Sequence, residues 1–190
     1  MSFPPLTAAT ARWRPAVGTG LEHLDLRRAG DDMVADGVIV GGRDAPPYGV
    51  RYRIVCDGGW RTRRLDIETT DGRALRLVSD GAGKWSTADG APRPDLDGCI
   101  DVDLAGSPFT NTLPIRRLDL SPSDGGRELR MVYVPFATFA ATIDEQRYRC
   151  LEPGALYRYE AVDRSFAADL PVDGDGLVID YPTLFVRVEL

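Results

Sequence analysis

Nucleophilic or acid–base chemistry needs a titratable side chain beside the reacting atom, and this sequence offers few of the usual kinds. Its histidine is His23 and its cysteines are Cys56, Cys99 and Cys150. A Cys99–His23–Asp101 triad is the conceivable nucleophile, base and orienter set; it competes with a plainer reading, a hairpin histidine and a buried thiol. No G-x-S-x-G elbow occurs. Asp95, Asp97, Asp101 and Asp103 form the densest acidic group. Two such carboxylates could divide general acid and base work, or pair with arginines of neighbouring strands. Arg116 and Arg117 could grip an anionic head group by bidentate hydrogen bonds, or end a helix and pair with Asp101 and Asp103. Trp85, Tyr157 and Tyr159 could line an apolar ligand pocket, although such aromatics are core by default.

Metal and cofactor signatures are missing. The cysteines lack ligand spacing and one histidine cannot complete a site. Asp173-Gly174-Asp175-Gly176 has the start of a calcium loop without its later ligands or closing glutamate, so a hairpin turn accounts for it better. Neither a P-loop nor a strand followed by G-x-G-x-x-G is present. The expectation is no metal, no cofactor and no catalytic residue.

The elements that must position these residues are short strands. Twenty glycines and fourteen prolines punctuate the chain, and alternation dominates over helical periodicity. Val50 to Asp57 shows it cleanly, with Tyr52, Ile54 and Cys56 on one face and Arg51 and Arg53 on the other. Ala29-Gly30-Asp31 and Asp71-Gly72 read as hairpin turns. Strands are expected at Glu22 to Arg27, Met33 to Val40, Val50 to Asp57, Trp60 to Glu68, Ala74 to Ser79, near Trp85 and at Gly98 to Leu104. Further strands follow at Leu129 to Val134, Thr142 to Leu151, Tyr157 to Val162, Arg164 to Leu170, Gly176 to Tyr181 and Leu184 to Glu189. One segment departs from alternation. Within Phe109 to Leu118, Asn111 or Thr112 could cap a short helix with Pro114 in its first turn. Arg116 and Arg117 would then suit the negative end of the helix dipole.

A chain of 190 residues is expected to form one domain over 1–190, with residues 1–12 disordered, and to bury roughly 70% of its unfolded surface. The net charge of −6 argues against nucleic acid, which demands a basic stripe. The longest uncharged stretch, Met131 to Ile143, is too short for a transmembrane segment. The start carries no secretory signal pattern, so reduced thiols and a cytoplasmic location are expected.

The run Leu96-Asp97-Gly98-Cys99-Ile100-Asp101-Val102-Asp103-Leu104, followed by Ser107-Pro108-Phe109-Thr110-Asn111-Thr112-Leu113-Pro114-Ile115-Arg116-Arg117-Leu118, resembles the bacterial family described as "Putative glycolipid-binding". Trp60 to Leu65, Tyr157-Arg158-Tyr159-Glu160 and Gly176 to Pro182 extend the resemblance, which spans about Trp13 to the C-terminus. It implies a spiral β-roll, a long curled antiparallel sheet wrapped around one short α-helix, distantly similar in shape to periplasmic lipoprotein carriers. The expected function is binding of a glycolipid or similar amphiphile, with Trp85, Arg116, Arg117, Tyr157 and Tyr159 as ligand-binding residues. Cys99, Asp101, Asp103 and Asn111 form the structural motif. The competing readings are a hydrolase-like enzyme using Asp101 and Asp103, or a structural or oligomerisation module with a filled core; a homodimer is the partner expected besides the amphiphile. An open apolar pocket favours binding; a pocket floored by carboxyls of raised pKa favours an enzyme.

Overall fold

The computed structural model describes residues 3–42 and 47–189. Its chain order is β1 (Ala8–Pro15), β2 (Leu21–Ala29), β3 (Asp32–Gly41), β4 (Tyr48–Cys56), β5 (Thr62–Thr69), β6 (Ala74–Ser79), β7 (Trp85–Thr87) and β8 (Asp101–Leu104). Helix α1 (Thr112–Leu118) comes next, then β9 (Gly126–Val134), β10 (Thr142–Glu152), β11 (Leu156–Ala161), β12 (Ala167–Pro171), β13 (Asp180–Tyr181) and β14 (Phe185–Val188). The fold is mostly β, a curled half-barrel around one short helix.

The expected single antiparallel sheet is divided in two. Nine strands pair antiparallel in the order β13-β14-β1-β2-β3-β4-β5-β6-β7, and five in the order β12-β11-β10-β9-β8. Within the second sheet β8 runs parallel to β9, with Asp103 opposite Tyr133. A parallel pair needs a crossover of a dozen or more residues, which the helix-bearing segment between β8 and β9 supplies. The glycines at two hairpins adopt the left-handed conformation those turns require, Gly30 at φ 67° and Gly72 at φ 89°.

Strand β1 was not anticipated, and the expected disorder over residues 1–12 does not hold in the described part. Ala11, Trp13 and Pro15 alternate inward along β1, and Phe3 and Leu6 ahead of it are buried. Arg12 of β1 sits opposite Val188 of β14, so distant segments close the sheet.

A 3₁₀ turn over Pro108–Asn111 leads into α1. The expected side-chain cap does not form. The Asn111 amide donates to the Pro108 carbonyl at 3.3 Å, and its oxygen accepts the Tyr148 hydroxyl at 2.8 Å. The helix ends where Asp119 turns left-handed and its N–H meets the Ile115 carbonyl at 3.3 Å. Leu113 joins the cluster built mainly on the nine-stranded sheet, and Ile115 joins the cluster built mainly on the other. The helix therefore fills the space between the sheets, and each of these side chains contributes roughly 1.5–3 kcal/mol by burial.

Candidate functional site

Alternation along β2 turns Glu22, Leu24 and Leu26 inward. A carboxyl on that buried face must find partners or lose its charge. Tyr52, two strands away on β4, supplies one: its hydroxyl donates to Glu22 Oε1 at 2.6 Å. The tyrosine can cross β3 only because Gly37 lies directly opposite it in register. A Cβ at Gly37 would sit 2.1 Å from the Tyr52 ring. The Ser107 hydroxyl donates to the same oxygen through a short hydrogen bond. Oε2 is buried with no hydrogen-bond partner. Burial pushes the Glu22 carboxyl up from its ordinary 4.5 to about 7, against the opposing effect of the Ser107 and Tyr52 bonds.

Glu22 floors a cleft of about 280 Å³ whose walls include Trp13, Ile39, Tyr48, Phe136 and Phe185. A second cleft of about 410 Å³, lined among others by Asp103, Asp144, Tyr159, Phe166 and Tyr181, shares Ala105, Tyr133, Leu184 and Phe185 with the first. The two are adjoining lobes of one groove. Ser107 lines the second lobe while reaching Glu22 beside the first. Thr110 Oγ1 lies 2.9 Å from both the Ser107 carbonyl and Asp103 Oδ1. A polar seam thus runs from Glu22 through Ser107 and Thr110 to Asp103. The Gln146 amide donates to Asp103 at 2.7 Å and to Asp144 at 2.8 Å. Burial raises the Asp103 pKa, the Gln146 and Thr110 hydrogen bonds oppose the rise, and the nearby Asp144 charge adds to it.

The family model described as "Putative glycolipid-binding" matches residues 10–187. The chain belongs to that family. A search of curated proteins returns no match. Among solved structures, the crystal structure of a DUF1089 family protein from Pseudomonas aeruginosa is similar at 38% identity and TM-score 0.79, covering 93% of this chain and 95% of that one.

The residues expected to bind ligand in this glycolipid-binding family member are scattered. Trp85 is buried, with its indole N–H on the Cys99 carbonyl at 2.8 Å, and lines neither lobe. Tyr157 is buried in the core and stacks on Phe3. Tyr159 alone of the five lines the groove. Arg117 grips Asp101 in a bidentate pair at 2.6 to 3.1 Å, both side chains being nearly enclosed. Arg116 takes no carboxylate among the described residues. Its guanidinium donates to the carbonyls of Asp175 and Pro4, each at 2.7 Å, and lies over the rings of Phe3 and Trp60 at 5.3 and 4.5 Å. It borders a separate cleft with Phe3, Leu6, Met33 and Trp60. Of the structural motif, Asp101 and Asn111 hold the helix to the strands around it. Cys99 is a buried thiol pushed up to about 11 by burial. Asp103 pairs with no arginine among the described residues and lines the groove.

The conceivable triad is not assembled. Asp101 is engaged by Arg117, while His23 accepts from Arg12 at 3.1 Å and faces Asp25 at 3.5 Å. Sequence reading missed Glu22, Tyr52 as its partner, and Ser107. The available signal was an acidic residue in phase with Leu24 and Leu26.

Proposed function

We propose that the protein binds an amphiphile such as a glycolipid in this groove. The hydrocarbon part lies along Trp13, Ile39, Tyr48 and Phe136, and the polar part meets the seam from Glu22 to Asp103. The observation that carries this reading is the unpartnered, buried Oε2 of Glu22 at a cleft lined mainly by apolar residues. Buried polar atoms rarely stay unsatisfied, and one in a cleft is a waiting contact for a ligand hydroxyl or amine. The family description supports the same class of ligand. The unpaired Cys56, Cys99 and Cys150 fit a reducing compartment, which supports the cytoplasm as the place of action. Among the described residues no helix is long and apolar enough to cross a membrane.

The test is calorimetric titration with n-octyl β-D-glucopyranoside below its micelle concentration, alongside mass spectrometry of lipid extracted from the purified protein. Saturable one-site binding that weakens at least tenfold in Glu22→Leu supports the reading. No saturable heat and no co-purifying amphiphile would overturn it.

A hydrolytic reading has its own supporting observation, the raised pKa of two carboxyls, Glu22 and Asp103, along one seam. It cannot use the pair Asp101 and Asp103, because Asp101 is bound to Arg117. Turnover of p-nitrophenyl glycosides or esters that disappears in Glu22→Gln would favour it.

A further inference from the structure

The charged residues lining the two lobes are all acidic among the described residues: Glu22 in the first, and Asp103, Asp144 and Asp163 in the second. Several carboxylates elsewhere in the molecule are met by arginine. Asp36 has Arg27 and Arg53, Asp101 has Arg117, Asp169 has Arg158, and Asp173 has Arg187. In the groove no cation meets the carboxylates among the described residues. Asp103 and Asp144 instead share one neutral donor, the Gln146 amide nitrogen, at 2.7 and 2.8 Å. A single nitrogen bonded to both holds two carboxylate oxygens no more than about 5.5 Å apart by the triangle those bonds define, an arrangement that repels itself until a positive charge enters.

Aromatic rings frame the same lobe. Tyr159, Phe166 and Tyr181 stand with centroids 6.1 Å apart in each pairing, and Tyr181 continues to Phe185 at 6.4 Å. Ring faces carry the negative part of the aromatic quadrupole and attract ammonium groups, the more so out of bulk water. The unpartnered Oε2 of Glu22 in the adjoining lobe adds a further acceptor. Among the described residues no lining group offers a positive charge to a phosphate or carboxylate.

We propose that the second lobe receives a cationic group, a protonated amine, carried by the amphiphile that the groove binds. This inference rests on the binding function proposed above and adds the chemistry of the head: an aminosugar or other ammonium-bearing head, in place of a phosphorylated one.

The experiment compares octylammonium, n-octyl β-D-glucopyranoside and octyl phosphate, which share a chain and differ in head. Each is titrated into the intact protein at physiological ionic strength, with competition between the first two to establish a common site. Octylammonium is expected to bind at least tenfold more tightly than the glucoside, and octyl phosphate more weakly than either. Asp144→Asn should reduce the amine preference at least fivefold. Asp89→Asn, an equal loss of charge at an exposed turn, should leave it unchanged. That control matters because a protein of net charge −6 attracts any cation loosely. Should the glucoside bind and the amine gain nothing over it, or should both variants lower the preference alike, the ammonium assignment falls and the amphiphile reading stands. Should none of the three show saturable binding, both fall.

Discussion

Replacing Glu22 by glutamine keeps the shape of the side chain and an oxygen for the Tyr52 and Ser107 hydroxyls, and removes its titration. In the folded protein the carboxyl titrates at about 7, against an ordinary value of 4.5 in the unfolded chain. A raised carboxyl means that the folded state holds its proton more tightly. The stability this contributes is fully present below pH 4.5 and is lost as the pH rises through 7, where the folded protein must carry a buried negative charge. Each tenfold change in proton affinity corresponds to about 1.4 kcal/mol, so the shift amounts to about 3 kcal/mol. Urea unfolding of wild type and Glu22→Gln across pH 5 to 8 isolates this group, because all other titrations are common to both and cancel in the difference. Relative to wild type, Glu22→Gln should gain about 3 kcal/mol between acid and pH 8, most of it between pH 5 and 7. Parallel stability curves for the two proteins would refute the reasoning, and with it the claim that Glu22 is held apart from solvent and from any cation.

Three further outcomes are expected. Gly37→Ala should destabilise the fold by about 1–3 kcal/mol through overpacking against Tyr52; the displaced hydroxyl should let Glu22 titrate above its wild-type value, read by carbon-detected NMR. Arg117→Ala should cost about 3–5 kcal/mol, because Asp101 is left buried and alone; the Asp101→Ala, Arg117→Ala double variant should cost less than the sum of the singles in chemical denaturation. Thiol titration should recover Cys56, Cys99 and Cys150 in denaturant without reductant and far fewer in the native protein, where all three are buried and each thiol is pushed up, chiefly by burial.

The fold was legible wherever local pattern carried it. Alternation at Val50 to Cys56 and glycine turns at Gly30 and Gly72 place β2 to β6 without reference to the rest of the chain. The pairing of Asp101 with Arg117 was also legible, since the strand and the helix that follows it are joined by few residues. What escaped depends on partners distant in sequence. Strand β1 has modest propensity of its own and is a strand because β2 and β14 flank it. Whether an aromatic faces a groove or a core is likewise a tertiary matter: Trp85, Tyr157 and Tyr159 look alike in sequence, and packing puts the first two in the interior and the third on a cleft wall. Arg116 and Arg117 are adjacent on a helix, so successive side chains point about 100° apart and meet different surroundings. Glu22 could have been found, because a charge in phase with two inward leucines is a local anomaly.

The closure of β1 by β14 sets a timetable for making the protein. The Trp13 indole N–H donates to the carbonyl of Val178, 165 residues away, and Leu184 and Phe185 wall both lobes of the groove. At about 5–20 residues per second the ribosome needs roughly 10–35 s to travel from β1 to β14. Throughout that interval β1 presents an open edge able to pair with any other nascent strand. The groove therefore cannot be complete before β14 has been made, because Leu184 and Phe185 are among its last-synthesised walls.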